Sequence, residues 1–268
     1  MLSPLFTSVR PILGMIHVGA LPGTPAGELP IDDLIAAAVA EATIYAKAGI
    51  DGVIVENMHD TPYLKGAVGP EIVAAMTRVA AAVKATTGGP VGLQILAAAN
   101  REALAVAAMT GLDFVRVEGF CFAHVADEGI LEGCAGELLR YRRAIGAGQV
   151  QIWADIKKKH SSHALTADLD VAATAEAAAF MRADAIIITG TATGDPPRID
   201  DVRGARSGGL PVILGSGVNG SNIARYFELA DAFIIGSSFK VGGRWQATVD
   251  AERVEAFMAT VARLRRRA

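Results

Sequence analysis

The sequence lacks most of the features that mark specialised protein classes. Among 268 residues there are two cysteines, Cys121 and Cys134. That is too few for a disulfide framework, and their spacing is not that of a zinc motif, which points to a reducing compartment. No stretch approaches the roughly 18 apolar residues that span a bilayer, and no secretory h-region opens the chain. Neither sign of charge dominates: 25 Lys and Arg against 28 Asp and Glu leave a net charge of −3, which argues against nucleic acid as the main partner. The expectation is a cytoplasmic protein with a small-molecule partner, and self-association into a homo-oligomer is left open. One local excess of charge, "RLRRR" at 263–267, reads as a solvated helix end that complements the helix dipole, with an anionic contact as the alternative.

Apolar residues are plentiful, at 51%, and they recur in eight short runs: "PILGMIH", "GVIVEN", "VGLQIL", "FVRVEG", "QIWADIK", "AIIITG", "VILGSG" and "AFIIGS". Most are too short for helices and end in Gly or polar residues, as buried parallel strands do. Ala-rich segments with helical spacing lie between them. The first has aspartates at its start and Gly49 as its stop; the second has Pro70 near its start and glycines after its end. Eight alternations of strand and helix over this length predict a single (β/α)8 barrel domain covering residues 1–268, with an open doubly wound sheet as the alternative.

Barrel enzymes carry their catalytic groups where the strands end. The longest loops here follow the first, second, fourth and fifth strands, and all five histidines lie at a strand end or in one of those loops. Alternation along each strand then sorts its side chains. Ile12 and Ile16 face helices, so His17 points inward. Val53 and Val55 face out, so Glu56 points in. Val115 and Val117 face out, so Arg116 and Glu118 point in. Ile152, Ala154 and Ile156 face out, which turns Trp153, Asp155 and Lys157 inward. By the same rule Lys158 is structural or solvated, while Lys159 and His160 are already in the loop. A structural ion-pair layer closing the barrel is the alternative, although a hydrophobic plug would do that with less desolvation cost.

After the seventh strand come Gly215, Ser216 and Gly217; after the eighth, Gly236, Ser237 and Ser238. Loops at these two strands hold phosphate in many barrels. The expected phosphate-binding residues are therefore Ser216, Gly217, Gly236 and Ser237, with two plain glycine turns as the alternative. Thr189, Thr191, Thr193 and Asp195 after strand six offer hydroxyls and an acid to a sugar, or a well-capped turn. Glu56 and His59 are candidates to share a divalent metal, with His124 and Asp155 within conceivable reach, but there is no compact ligand motif.

Taken together, "GMIHVGALPGTP", "GIDGVIVENMHDTPY", "ADIKKKHSSH", "TGTATGDPP", "LGSGVNGSNI" and "DAFIIGSSFK" resemble the BtpA/SgcQ family, in order and over nearly the whole chain. The resemblance implies a phosphate-binding-type barrel. It also implies either a role like that of the cyanobacterial members in photosystem I biogenesis or one in sugar utilisation. Where the family is expected to carry Leu-Arg-Asn-Asp after strand three, this chain has Leu96, Ala97, Ala98, Ala99 and Asn100. Asp155-Ile156-Lys157 is also similar to the Asp-x-Lys pair of the orotidine-phosphate decarboxylase group, with His160 in place of its next acid.

Two functions compete. One is an enzyme acting on a phosphorylated sugar or nucleoside-like metabolite, by isomerase, epimerase, lyase or hydrolase chemistry. Lys157 would be the acid/base or Schiff-base former, Asp155 would orient it, and Glu56 or His17 would be the second acid/base. Arg116, Glu118, Asn57, His160, Thr189 and Asp195 would bind substrate. The other is a non-catalytic assembly or stability factor that kept a barrel.

Overall fold

The computed structural model describes residue 2 and residues 5–190 and 194–267; Thr191 and Thr193 lie outside the described residues. Among these, eight parallel strands close a barrel: β1 (Ile12–His17), β2 (Gly52–Glu56), β3 (Val91–Gln94), β4 (Phe114–Val117), β5 (Gln151–Ile156), β6 (Ala185–Ile188), β7 (Val212–Leu214) and β8 (Ala232–Ile235). Each pairs with its chain neighbours, and β1 pairs with both β2 and β8. The helices between and after them are α1 (Ile31–Lys47), α2 (Pro70–Thr87), α3 (Asn100–Thr110), α4 (Ala135–Ala144), α5 (Val171–Phe180), α6 (Ile199–Ala205), α7 (Ile223–Tyr226) and α8 (Ala251–Arg265). α2 opens on Pro70, where a missing N–H costs nothing, and stops at Gly88, whose φ of 64° suits a residue without Cβ. A small antiparallel sheet joins the loops after β4 and β5: His124–Ala126 pairs with Gly129–Leu131 and with Ser161–Ser162.

Alternation divides the core in two. Outward residues such as Ile16, Val55, Val117 and Ile156 pack under the helices, while Leu13, Met15, Ile54, Phe114, Trp153 and Ile187 fill the barrel. Low in the barrel the rings of Phe114 and Trp153 stack with centroids 3.6 Å apart, and Phe6 closes over Trp153 at 6.2 Å. Gly92 has to be glycine, because the Phe114 ring occupies the space its Cβ would need.

A regular device ties the strands together at the bottom. Asp51, Asp113, Asp184 and Asp231 immediately precede β2, β4, β6 and β8. Each accepts, at 2.8 Å, a backbone N–H from the start of the preceding odd strand: Ile12, Val91, Ile152 and Val212. Each also faces a cation on or next to an even helix: Arg265, Lys84, Arg142 and Arg206 respectively. Arg265 additionally donates to the Val9 and Arg10 carbonyls. The basic chain end therefore holds an anionic contact through Arg265, in addition to the solvated residues around it.

Candidate active site

At the C-terminal ends of the strands the barrel opens into a cavity of about 490 Å³. His17, Glu56 and Gln94 stand side by side on its floor, as register partners across β1, β2 and β3. The His17 Nδ1 lies 3.1 Å from the Trp245 carbonyl, which can only accept, so Nδ1 carries the proton and Nε2 presents its lone pair. That Nε2 is 3.7 Å from a Glu56 oxygen. Burial, aided by the Lys240 charge, pushes the His17 pKa down to about 3, so the ring is neutral. Burial raises Glu56 above the usual carboxylate range, against the pull of Arg116 and Lys159.

β4 and β5 supply a buried ion pair. Arg116 donates through Nε and Nη2 to both Asp155 oxygens, at 2.8 and 3.0 Å. Burial works against the guanidinium charge, but Asp155, together with Glu56 and Glu118, outweighs it and holds the charge firmly on. Glu118 accepts from Lys158 Nζ at 3.1 Å and from the Ala98 N–H at 3.1 Å. Lys159 also lines the cavity, and burial first, then Arg116, lowers its pKa. Its backbone is pinned by an N–H donated to Thr189 Oγ1 at 3.0 Å. Across the cavity the wall is formed by Gly215–Gly217, Gly236–Ser238 and Arg253.

Several expected placements are corrected. Alternation holds through Ile156 and then fails, because Lys157 adopts a left-handed backbone (φ 47°). Its Nζ donates to the Thr166 carbonyl at 2.9 Å and approaches Thr166 Oγ1 at 3.2 Å, away from the mouth. Lys158 and Lys159 enter the cavity in its place, and Arg116, not a lysine, is the partner of Asp155. The similarity to an Asp-x-Lys pair is thus one of sequence and not of geometry.

Asn57 is buried behind the wall. Its Nδ2 donates to Asp60 and its Oδ1 accepts from the Leu96 N–H, both at 2.8 Å, so both ends of the amide are engaged within the chain. The Ser216 hydroxyl is engaged too, accepting from the Gly190 N–H at 2.9 Å and donating to the Asp195 carbonyl at 3.1 Å. Thr189 is buried and serves Lys159, while Asp195 is exposed and its main chain packs against Gly217. His160 lines the cavity. His59 places Nδ1 2.9 Å from the Val18 carbonyl and its ring lies tilted against Trp245, while His124 sits beside His163. Among the described residues no three His, Cys, Asp or Glu side chains gather as a metal-binding group, so the Glu56–His59 idea finds no third ligand there.

Sequence reasoning missed Gln94 and Arg253. The alternation that placed Glu56 applies equally to "VGLQ", where Val91 and Leu93 are outward and Gln94 inward. It was the preference for charged residues that passed over it. Arg253 reaches the rim from the first turn of α8, where it donates to the Ser238 carbonyl at 3.3 Å, and no strand pattern could reveal that.

The fold and the polar mouth define a (β/α)8 barrel whose cavity lies at the C-terminal ends of its strands. Solved structures agree on the fold. Phosphoribosyl anthranilate isomerase from Thermus thermophilus superposes with a TM-score of 0.57 at 15% identity, over 95% of this chain and 100% of that one. Orotidine 5'-monophosphate decarboxylase from Methanocaldococcus jannaschii gives 0.53 at 14%, over 94% and 98%. The BtpA family model matches residues 8–263, and the chain belongs to the BtpA family. An uncharacterized mitochondrial protein of Caenorhabditis elegans is 48% identical over 98% of both chains. The photosystem I biogenesis protein BtpA of Synechocystis is 36% identical over 96% of this chain and 90% of its own. No helix among the described residues is long and apolar enough to cross a membrane.

Proposed function

We propose that this protein is an enzyme acting on a small phosphorylated sugar-like metabolite by acid/base or Schiff-base chemistry. The observation that carries the reading is the division of one cavity into two poles. On one side are a carboxyl and an amine both shifted toward neutrality, Glu56 and Lys159, beside a neutral imidazole and a fixed guanidinium. On the other is a glycine- and serine-rich rim with Arg253 beside it. An acid and a base brought toward each other in pKa are suited to moving protons at one centre. Open backbone at β7 and β8 is suited to an anion. The names of the phosphoribosyl anthranilate isomerase and orotidine 5'-monophosphate decarboxylase neighbours are in keeping with such a ligand. In this reading Lys159 takes the role expected of Lys157, Glu56 and His17 handle the second proton, Arg116 fixes substrate polarity, and Gly217, Gly236 and Ser237 receive the phosphate.

The phosphate pole is tested by melting temperature. Phosphate at ten times its Kd should add about 1.4 kcal/mol, or roughly 2–6 °C for a chain of this size. A Cβ at Gly217 would overlap the Asp195–Pro196 backbone, whereas one at Gly236 would sit at ordinary contact with Met15 and His17. Gly236→Asp is therefore the cleaner probe, and it should abolish the shift. No shift in the wild type would defeat the reading. The chemical pole is tested by Lys159→Met, which should cost turnover about 10²–10⁴-fold once a substrate is found, with Lys157→Met close to wild type. Borohydride trapping with a carbonyl substrate separates a Schiff-base lysine from an acid/base. The name of the Synechocystis relative favours a second reading, a non-catalytic assembly role; that reading predicts that Lys159→Met and Glu56→Gln leave function in the cell intact.

A further inference from the structure

We infer that the end of the ligand entering the barrel floor is an uncharged, hydroxyl-bearing face of a polyol or sugar, and that Gln94 is the specificity-determining residue that hydrogen-bonds one of its hydroxyls. The inference rests on the phosphosugar reading of the same mouth and adds to it the chemistry of the other end of the ligand.

Gln94 is 2% exposed and lines the cavity, and its Oε1 has no hydrogen-bond partner among the described residues. A buried amide oxygen left without a donor costs stability, so such an atom in a cavity wall points to a donor that arrives with the ligand. The loop after β3 offers it nothing: the other lining residues from this segment are Leu96 and Ala97. The two register neighbours of Gln94 in the row are Glu56 and then His17, whose Nε2 is an acceptor because Nδ1 faces a carbonyl. Three adjacent side chains thus offer acceptor atoms on one floor.

The charges around that floor decide between kinds of donor. Arg116 is held by both oxygens of Asp155, and Lys158 by Glu118. A carboxylate entering here would find these two cations engaged, the remaining Lys159 shifted toward its neutral form by burial and by Arg116, and three protein carboxyls close by. An ammonium would meet Arg116, Lys158 and Lys159. A neutral hydroxyl suffers neither penalty. It also satisfies Gln94 whichever way the amide is turned, since it both donates and accepts. A site built to hydrogen-bond a hydroxyl discriminates strongly against analogues that lack it, because the protein group is then left unpaired.

The test is calorimetric titration of the full chain with inorganic phosphate, D-ribose 5-phosphate, n-pentyl phosphate, phosphoenolpyruvate and phosphoethanolamine. Gln94→Leu and Gln94→Met are run alongside, and an unchanged melting temperature in buffer certifies that they fold. The wild type should bind ribose 5-phosphate at least about tenfold tighter than each of the other three esters. Both variants should lose about tenfold for ribose 5-phosphate, the worth of one hydrogen bond, with inorganic phosphate unchanged. Tightest binding of a carboxylate- or amine-ended ester, or a preference that survives in both variants, overturns the inference. If inorganic phosphate does not bind the wild type, the phosphosugar reading fails by itself. The floor is then judged on unphosphorylated D-ribose at high concentration: stabilisation lost in Gln94→Leu sustains it, and equal or absent stabilisation in both proteins overturns it.

Discussion

The two ends of the barrel use the same residue types to opposite effect. At the bottom, each of four aspartates has a backbone N–H and a cation as partners. At the mouth, Asp155 and Glu118 are also paired, but Glu56 meets His17 only at 3.7 Å and Gln94 has an oxygen without a donor. Satisfied polar groups hold a structure, whereas an unsatisfied one in a cavity wall can be met by whatever binds there. The contrast teaches where to look for a ligand: at the mouth, where Glu56 and Gln94 are left with the fewest partners.

The largest effect that can break this comparison is on the Arg116–Asp155 pair, whose side chains are 8% and 1% exposed. Arg116→Met leaves Asp155 buried without its partner and should cost about 3–5 kcal/mol in urea unfolding. Adding Asp155→Leu should recover most of that loss while leaving ligand binding abolished. A double variant as unstable as the single one would mean that packing, not uncompensated charge, sets the cost.

A smaller loss is expected at the bottom. Asp113→Ala removes the acceptor for the Val91 N–H and the partner of half-buried Lys84, and should cost about 1.5–3 kcal/mol. Asp113→Asn keeps an acceptor and should cost less. Phosphate affinity should be unchanged in both. If it falls with stability, the two ends are coupled and the comparison fails.

The smallest net effect is in pH dependence. His17 ordinarily titrates at 6.5 and is pushed down to about 3, so the unfolded chain binds the extra proton between those values. The stability His17 contributes is complete above pH 6.5 and is lost as pH falls, by up to about 1.4 kcal/mol per unit. Glu56 is raised from 4.5, so the folded state holds the extra proton, and stability falls as pH rises above 4.5. The two slopes oppose where they overlap. Relative to wild type, Glu56→Gln should steepen the rise of stability with pH, and His17→Asn should turn it toward a fall. Identical wild-type and variant profiles in thermal melts would show that neither group titrates as described.

Much of this was legible in the sequence. All eight strands stand out as aliphatic runs because a parallel barrel buries both faces of each strand. His17, Glu56, Arg116 and Asp155 could be placed by alternation alone, since a regular strand leaves a side chain two choices. Lys157 escaped because one left-handed residue ends that regularity, and its capture by Thr166 is a tertiary contact. Which of three consecutive lysines faces the cavity is decided by the loop and not by the strand. The bottom aspartates were equally visible before "G", "F" and "A" at the starts of the even strands, but their role depends on an N–H contributed by another strand.

The ring of aspartates also bears on the order in which the chain is made. Lys84, Arg142 and Arg206 all precede the aspartates they meet, so three of the four clamps have every part in hand as soon as the aspartate emerges. Asp51 is different: its cation is Arg265, on the helix that follows the eighth strand and 214 residues downstream. During translation the first strand pair must wait, half-clamped, for α8. The fourth clamp therefore closes only after the eighth strand and α8 have been made, and a ribosome-stalled product ending before α8 would leave Asp51 without its cation.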